Sequence, residues 1–255
     1  MGQSQCTLDA GNGTKVSFSN RAFASGEYRR AHKGKYLTGP KRGRPCVVKI
    51  YKSRRHENWE GEINIARTAK RVADAFNALP SRRRKGPVRI LVPALGTVSA
   101  VAGCMAPART GQRVTVEDYI SGRYEKFVSN NGTFRFPGTL TAFAHFSYDY
   151  SGGELIVVDL QGVRTDNGYT LTDPAIHSTV KGDIDSDFGR DGNPYGDLDL
   201  GNVGIEAFFS THECEKACRG LMRPKKIRYD TATCERIMAR RGGSRRVNPQ
   251  GFAYY

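Results

Sequence analysis

The distribution of apolar and polar positions divides the chain into a strand-rich first part and a second part in which helical spacing becomes prominent. "TKVSFS" (14–19) and "CVVKIY" (46–51) alternate or run β-branched, the pattern of half-buried strands. The polar, glycine-bearing stretch between them, "FASGEYRRAHKGKYLTGPKRG", reads as a hairpin or as a loop with one more strand. From 59 to 78 the apolar residues fall at 63, 65, 66, 69, 72, 73 and 76, one stripe of an amphipathic helix that Pro80 and the basic run 82–85 bring to an end. "VRILVPAL" reads as a strand, "RVTVEDYI" as a strand running into a connector, "GTLTAFAHFSYDYSGG" (138–153) as a helix and "ELIVVDLQGV" (154–163) as one buried strand. Residues 179–199 are Gly/Asp-rich and loop-like, after which "VGIEAFFSTHECEKACRGL" resumes helical spacing through Ile205, Phe208 and Phe209. There is no internal repeat. Strands first and helices later predict an α+β chain of two lobes.

Composition adds limits. With 255 residues and 38% hydrophobic content the chain is long enough to bury a real core. A net charge of +15, much of it in clusters at 28–35, 52–55, 81–86 and 238–246, points to an acidic, phosphorylated or nucleic-acid partner and is equally served by a solvated basic surface. None of the clusters has the aromatic interleaving of a single-strand binding platform. The N-terminus lacks an apolar signal core, and proline and glycines interrupt the longest apolar run, 90–106, so neither a secretory signal nor a membrane span is expected. The six cysteines are then expected to be reduced, in a cytoplasmic setting. Gly2 matches the start of an N-myristoylation signal, but Cys6 stands where Ser or Thr is required.

Two groups of residues could carry chemistry. His212, Cys214 and Cys218 supply three of the four nitrogen or sulfur donors that a structural zinc takes, at or just after a helix end. On closeness in the chain, His177 is the candidate for the fourth, whereas Cys6, Cys46, Cys104 and Cys234 have no ligand spacing. In "IVVDLQGVRTDNGYTLTDPAIHS" (156–178) Asp159 leaves an apolar strand, Gln161 follows on the same face, and Asp173 comes after a glycine-containing turn. Hard oxygen donors so placed suit magnesium and phosphate, and the same placement also serves strand-terminal aspartates that cap turns. In "DIDSDFGRDGNP" (183–194) the acids alternate as in a calcium loop, but Phe188 holds the turn-glycine position and Pro194 that of the final glutamate, which excludes an EF-hand.

Together, "AFAHFSYDYSGGELIVVDLQGV", "LTDPAIHS" and "GIEAFFSTHECEKAC" strongly resemble the alpha-kinase family of atypical protein kinases, which includes elongation factor kinases, myosin heavy chain kinases and channel-kinases. "FASGEYRRA", "CVVKIYK", "AKRVADAFN" and "VEDYISGRYEKFVSNNG" match in the same order, so the resemblance spans about residues 16–222. It implies a two-lobed alpha-kinase fold and a Ser/Thr protein kinase using ATP and magnesium. The implied organisation is an N-terminal tail (1–15), a first lobe (16–118), a second lobe (119–222) and a basic tail (223–255). Lys49 would contact the ATP phosphates, Arg29 and Gly26 would belong to the nucleotide-covering loop, and Glu117 would mark the connector that meets the adenine. Asp159 would orient or deprotonate the accepting hydroxyl, with Gln161 and Asp173 holding magnesium. His145 would complete a closed structural zinc site with His212, Cys214 and Cys218, leaving His177 near the metal–phosphate side or in a structural hydrogen bond. The partner implied is a protein substrate, acidic or ribonucleoprotein-associated; nucleic acid is compatible but not required.

Three departures stand against the family pattern. Thr68 stands where an acidic residue often anchors the phosphate-contacting lysine. "GDLDLGNVGI" (196–205) has Leu198 for a glycine and Asp199 for an asparagine, a carboxylate able to tighten metal binding or repel phosphate. The loop between Asp159 and Asp173 and the segment 179–195 are longer than the pattern. They raise the alternative of a catalytically impaired kinase-like module that binds nucleotide or an acidic partner.

Overall fold

The computed structural model describes residues 5–80, 86–102, 106–135, 137–179 and 195–241. Gly2, Cys104, the run 82–85 and the segment 183–194 lie outside them. In chain order the elements are β1 (Gln5–Asp9), β2 (Lys15–Ser25), β3 (Arg29–Tyr36), β4 (Pro45–Tyr51), α1 (Trp59–Ala78), β5 (Val88–Ile90), β6 (Ala94–Ala100), β7 (Arg113–Asp118) and β8 (Tyr124–Val128). There follow α2 (Thr139–Tyr150), β9 (Leu155–Val158), β10 (Leu160–Thr165), β11 (Gly168–Thr172), β12 (Ala175–Ser178), α3 (Asn202–Thr211), the 3-10 turn Lys216–Cys218 and α4 (Thr231–Arg241). The chain divides into two units: 1–63 with 92–121, and 64–91 with 122–248.

The first unit is a closed barrel in the order β1-β2-β3-β4-β7-β6. Closure leaves no strand edge open. Alternation sorts the side chains: Cys46, Val48 and Ile50 of β4 and Val114 and Val116 of β7 pack with Leu8, Val16 and Phe18 in the barrel core. Val47, Lys49 and Tyr51 take the other face of β4. The tail expected over 1–15 is corrected here: residues 5–9 pair with β2 and β6 and close the barrel, burying Cys6 and Leu8 completely. Two apolar positions in so short a strand are too few to show as a pattern.

The second unit is built on the stripe of α1. Ala69, Val72, Ala73 and Phe76 pack with Phe143 and Phe146 of α2 and with Ile156 to Val158 of β9. Asn77, near the end of α1, mimics a strand partner, its amide exchanging hydrogen bonds of 2.7 and 2.8 Å with the backbone of Val88. Strands form a sheet in the order β5-β11-β10-β8 and a separate pair β12-β9. The strand expected over "VRILVPAL" is two: β5 joins the second unit and β6 the barrel, with the boundary just before Pro93, which has no N–H for a ladder. The expected first lobe is corrected accordingly, since 64–91 belong to the second unit. The basic tail is corrected as well. Cys234 of α4 packs on Leu200, Val203 and Ala207, and buried Glu206 holds Arg228 through its backbone N–H and, at 2.8 Å, its guanidinium.

Candidate functional site

The buried strand expected over 154–163 is interrupted at Asp159. Residues 155–178 form a long hairpin whose register is kept across the break: Val158 faces Ala175 on one side, and Gln161 faces Thr172 on the other. At the break Asp159 has φ 53° and Asp173 φ 51°; with Asn12 these are the non-glycine residues at positive φ among the described ones. Such backbone costs about 1–3 kcal/mol per residue, and surrounding structure must hold it. It brings both aspartates to one level of the hairpin. Gln161 bridges them, its amide nitrogen 3.1 Å from Asp159 Oδ2 and 3.4 Å from the Asp173 carbonyl. Sequence reasoning missed Lys126, the cross-strand partner of Gln161 in β8, whose Nζ lies 2.6 Å from Asp159 Oδ1. Nothing in "YEKFV" marks this lysine in the sequence; its half-buried place beside Asp159 is visible only in the fold. The carboxylates of Asp159 and Asp173 and the amide of Gln161 are the hard-oxygen donor types magnesium takes.

His177 and Asp199 form a separate, buried polar cluster. His177 Nδ1 accepts the Leu200 N–H at 3.0 Å, so Nε2 carries the proton and donates to the Asn130 carbonyl at 2.6 Å. The ring is therefore neutral, and the 4.0 Å approach of Asp199 is not an ion pair. Gly204 makes room for it; a Cβ there would lie 2.1 Å from the imidazole. Asp199 accepts from the Ser178 and Gly201 N–H groups at 2.9 and 2.8 Å and from the Ser178 hydroxyl at 2.7 Å. Its carboxylate ties the turn before α3 to β12. Leu198 packs against the hydrophobic core of the unit.

In the first unit Lys49 Nζ meets Glu117 Oε1 at 2.7 Å, both side chains almost fully buried. The two are diagonal neighbours on one face of the β4–β7 ladder, in which Lys49 faces Thr115. Glu117, expected only as a connector marker, is thus a counter-charge of the lysine. Arg29 is tied down too: its Nη1 lies 2.8 Å from Glu62 Oε2, its guanidinium 5.9 Å from the centre of the Tyr51 ring, and the Tyr51 hydroxyl donates to Glu62. Burial and then the Glu62 charge push the Tyr51 pKa up. Gly26 lies in the short β2–β3 connection, its N–H on the Arg29 carbonyl at 2.9 Å and its own carbonyl on Lys52.

The donor cluster draws on α2, the end of α3 and the 3-10 turn. His145 Nδ1 is 3.1 Å from His212 Nε2, Cys218 Sγ 3.5 Å from His212 Nε2 and Cys214 Sγ 3.7 Å from His145 Nδ1. One ligand atom from each lies within 4.8 Å of every other. Tetrahedral zinc with bonds of about 2.0–2.3 Å needs donors about 3.3–3.8 Å apart, so the set fits that ion. Burial, aided by His145 and Arg223, lowers His212 to about 4, and burial also lowers His145. Both rings are neutral, and because His145 Nε2 donates to the Met222 carbonyl at 2.9 Å, its Nδ1 turns a lone pair into the cluster. Burial lifts the Cys218 thiol to about 11 without a metal, while Arg223 lies 3.2 Å from Cys214 Sγ. His177, the candidate by closeness in the chain, is corrected: its nitrogens are committed to Leu200 and Asn130.

The sequence profile of the Alpha-kinase family matches residues 24–218. Alpha-protein kinase 1 of Dictyostelium discoideum is 31% identical over 225 residues, covering 84% of this chain and 15% of that protein. Human eukaryotic elongation factor 2 kinase is 38% identical over 109 residues, covering 42% of this chain and 13% of that protein. In fold, the chain is similar to the alpha-kinase domain of myosin heavy chain kinase A in complex with AMP, with TM-score 0.63, 22% identity and coverage of 86% of this chain and 97% of that one. It is also similar to an alpha kinase from Entamoeba histolytica, with TM-score 0.65, 24% identity and coverage of 89% and 94%.

Proposed function

The chain belongs to the alpha-kinase family, and from that premise we propose that it is a Ser/Thr protein kinase transferring the γ-phosphoryl group of Mg-ATP to a protein hydroxyl. The observation that carries the proposal is the pair of aspartates at positive φ, Asp159 and Asp173, at one level of a hairpin with Lys126 and Gln161 beside them. Strained backbone concentrates where a side chain must be aimed. In this reading Asp159, positioned by its contact with Lys126, orients the incoming hydroxyl and accepts its proton. Gln161 and Asp173 hold magnesium, which when bound neutralises charge on the phosphates. Lys49 contacts the phosphates as a point charge, and the contact with Glu117 aims its buried side chain. Arg29 and Gly26 belong to the segment that covers the nucleotide. Zinc held by His145, His212, Cys214 and Cys218 is structural, since four protein donors leave no open position.

The alternative, a binding module without phosphoryl transfer, rests on Thr68, Leu198 and Asp199. Two of these have a structural account: Asp199 serves backbone N–H groups and Leu198 the core. An acid at position 68 is not needed for a carboxylate to reach Lys49, since Glu117 supplies one. Incubation with γ-labelled ATP, magnesium and a basic Ser/Thr peptide, followed by acid hydrolysis, separates the readings. Label recovered as phosphoserine or phosphothreonine supports the kinase. Retention of nucleotide with unlabelled peptide and protein supports the module.

A further inference from the structure

A second concave site lies at the end of the barrel where β4 and β6 finish and β3 and β7 begin. Its volume is about 360 Å³, and four cations line it, Arg30, Lys52, Arg54 and Arg109, against one carboxylate, Glu57. Arg30 faces Ile50 in the β3–β4 ladder, on the side of β4 that builds the barrel core, whereas Arg29 one position earlier takes the opposite face to reach Glu62. Arg109 stands on a closed turn: its carbonyl accepts the Gln112 N–H at 3.0 Å, and its own N–H donates to Gln112 Oε1 at 3.1 Å. The neighbouring Ala108 anchors that turn in the barrel core. Arg30, Arg54 and Arg109 make no side-chain hydrogen bond or ion pair with another described residue.

Three exposed guanidinium groups converge on one hole with Lys52, and Glu57 is the one carboxylate in its lining, so the mouth carries an excess of positive charge. An anion with several acceptor oxygens offsets that charge and takes forked, paired hydrogen bonds from arginine. We propose that this barrel mouth binds a phosphomonoester carried on a protein segment, a phosphorylated serine or threonine side chain. The dianion offsets most of the excess of positive charge in the lining. A polynucleotide backbone would need an extended basic track with stacking platforms, whereas this is a single hole near the lower end of small-ligand pocket size, about 300–1,000 Å³. The inference goes beyond the kinase reading and does not depend on it.

The test titrates the full chain, at fixed ionic strength, with a fluorescent phosphoserine peptide, its unphosphorylated form, inorganic phosphate and a short single-stranded oligonucleotide. Arg54→Gln/Arg109→Gln is the test variant. Arg42→Gln, exposed in the β3–β4 turn, is the control for general charge, with unfolding temperatures compared to confirm that all variants fold. The expected result is phosphopeptide binding at least about tenfold tighter than that of the unphosphorylated peptide or of free phosphate. The double variant should lose about tenfold or more, one charge-assisted hydrogen bond in affinity, and the control should lose nothing comparable. Equal binding by parent and double variant overturns the site. Phosphate binding as tightly as the phosphopeptide overturns the peptide, and an oligonucleotide that outcompetes it through the same arginines overturns the ligand class.

Discussion

Lys49 and Glu117 show how much can depend on one buried contact. Each charge is tolerable in the interior because the other is 2.7 Å away. Glu117→Ala leaves the ammonium buried with that counter-charge gone and should cost about 3 kcal/mol in urea unfolding. Lys49→Met/Glu117→Leu should be more stable than either single variant while losing phosphate transfer, and a double variant no better than the singles would show that the pair is not what holds this face together. At this scale the sequence was partly legible. Asp159 stood out as the acid leaving an apolar strand, whereas Lys49 in "VVKI" was reached only through the family resemblance. Their partners were not legible, because Glu117 and Lys126 reach them across strand ladders that chain spacing does not encode.

At the scale of elements, the donor cluster joins α2 to the segment after α3, 67 positions apart between His145 and His212. A metal there cross-links helices that otherwise meet through Phe209 and His212, whose rings pack 4.9 and 5.0 Å from that of His145. Purified protein should carry one zinc by elemental analysis, and His145→Ala should lose it together with cooperative unfolding. Stoichiometric zinc in that variant, or its loss on His177→Ala with His145 intact, would count against this ligand set. The amphipathic helix 59–78 was legible to its ends, since its stripe is long and Trp59 to Ala78 is what the periodicity marks. The break in "ELIVVDLQGV" was not, because a left-handed aspartate leaves the apolar run unchanged. Nor was β1, where the barrel supplies both partners of a strand with little pattern of its own.

For the molecule as a whole, the two units carry distinct parts of the proposed chemistry. The barrel holds Lys49, Glu117 and Arg29, and the second unit holds Asp159, Gln161, Asp173 and the donor cluster. A strand-rich part and a part with more helix were expected, with one boundary after 118. The chain crosses between the units after Ser121 and also at two earlier places that were not expected, within α1 and between Leu91 and Val92 in what reads as one apolar run. The net charge of +15 identifies no partner by itself, and only where arginines converge on a cavity does it become an argument about a ligand. The measurement that bears most directly on the account is phosphoryl transfer from γ-labelled ATP by the parent and by Asp159→Asn, with folding of both confirmed by their unfolding temperatures. Asparagine tolerates the same left-handed backbone but cannot accept the proton, so transfer should fall by about 10²-fold or more. Equal incorporation by the two proteins would contradict the role given to Asp159.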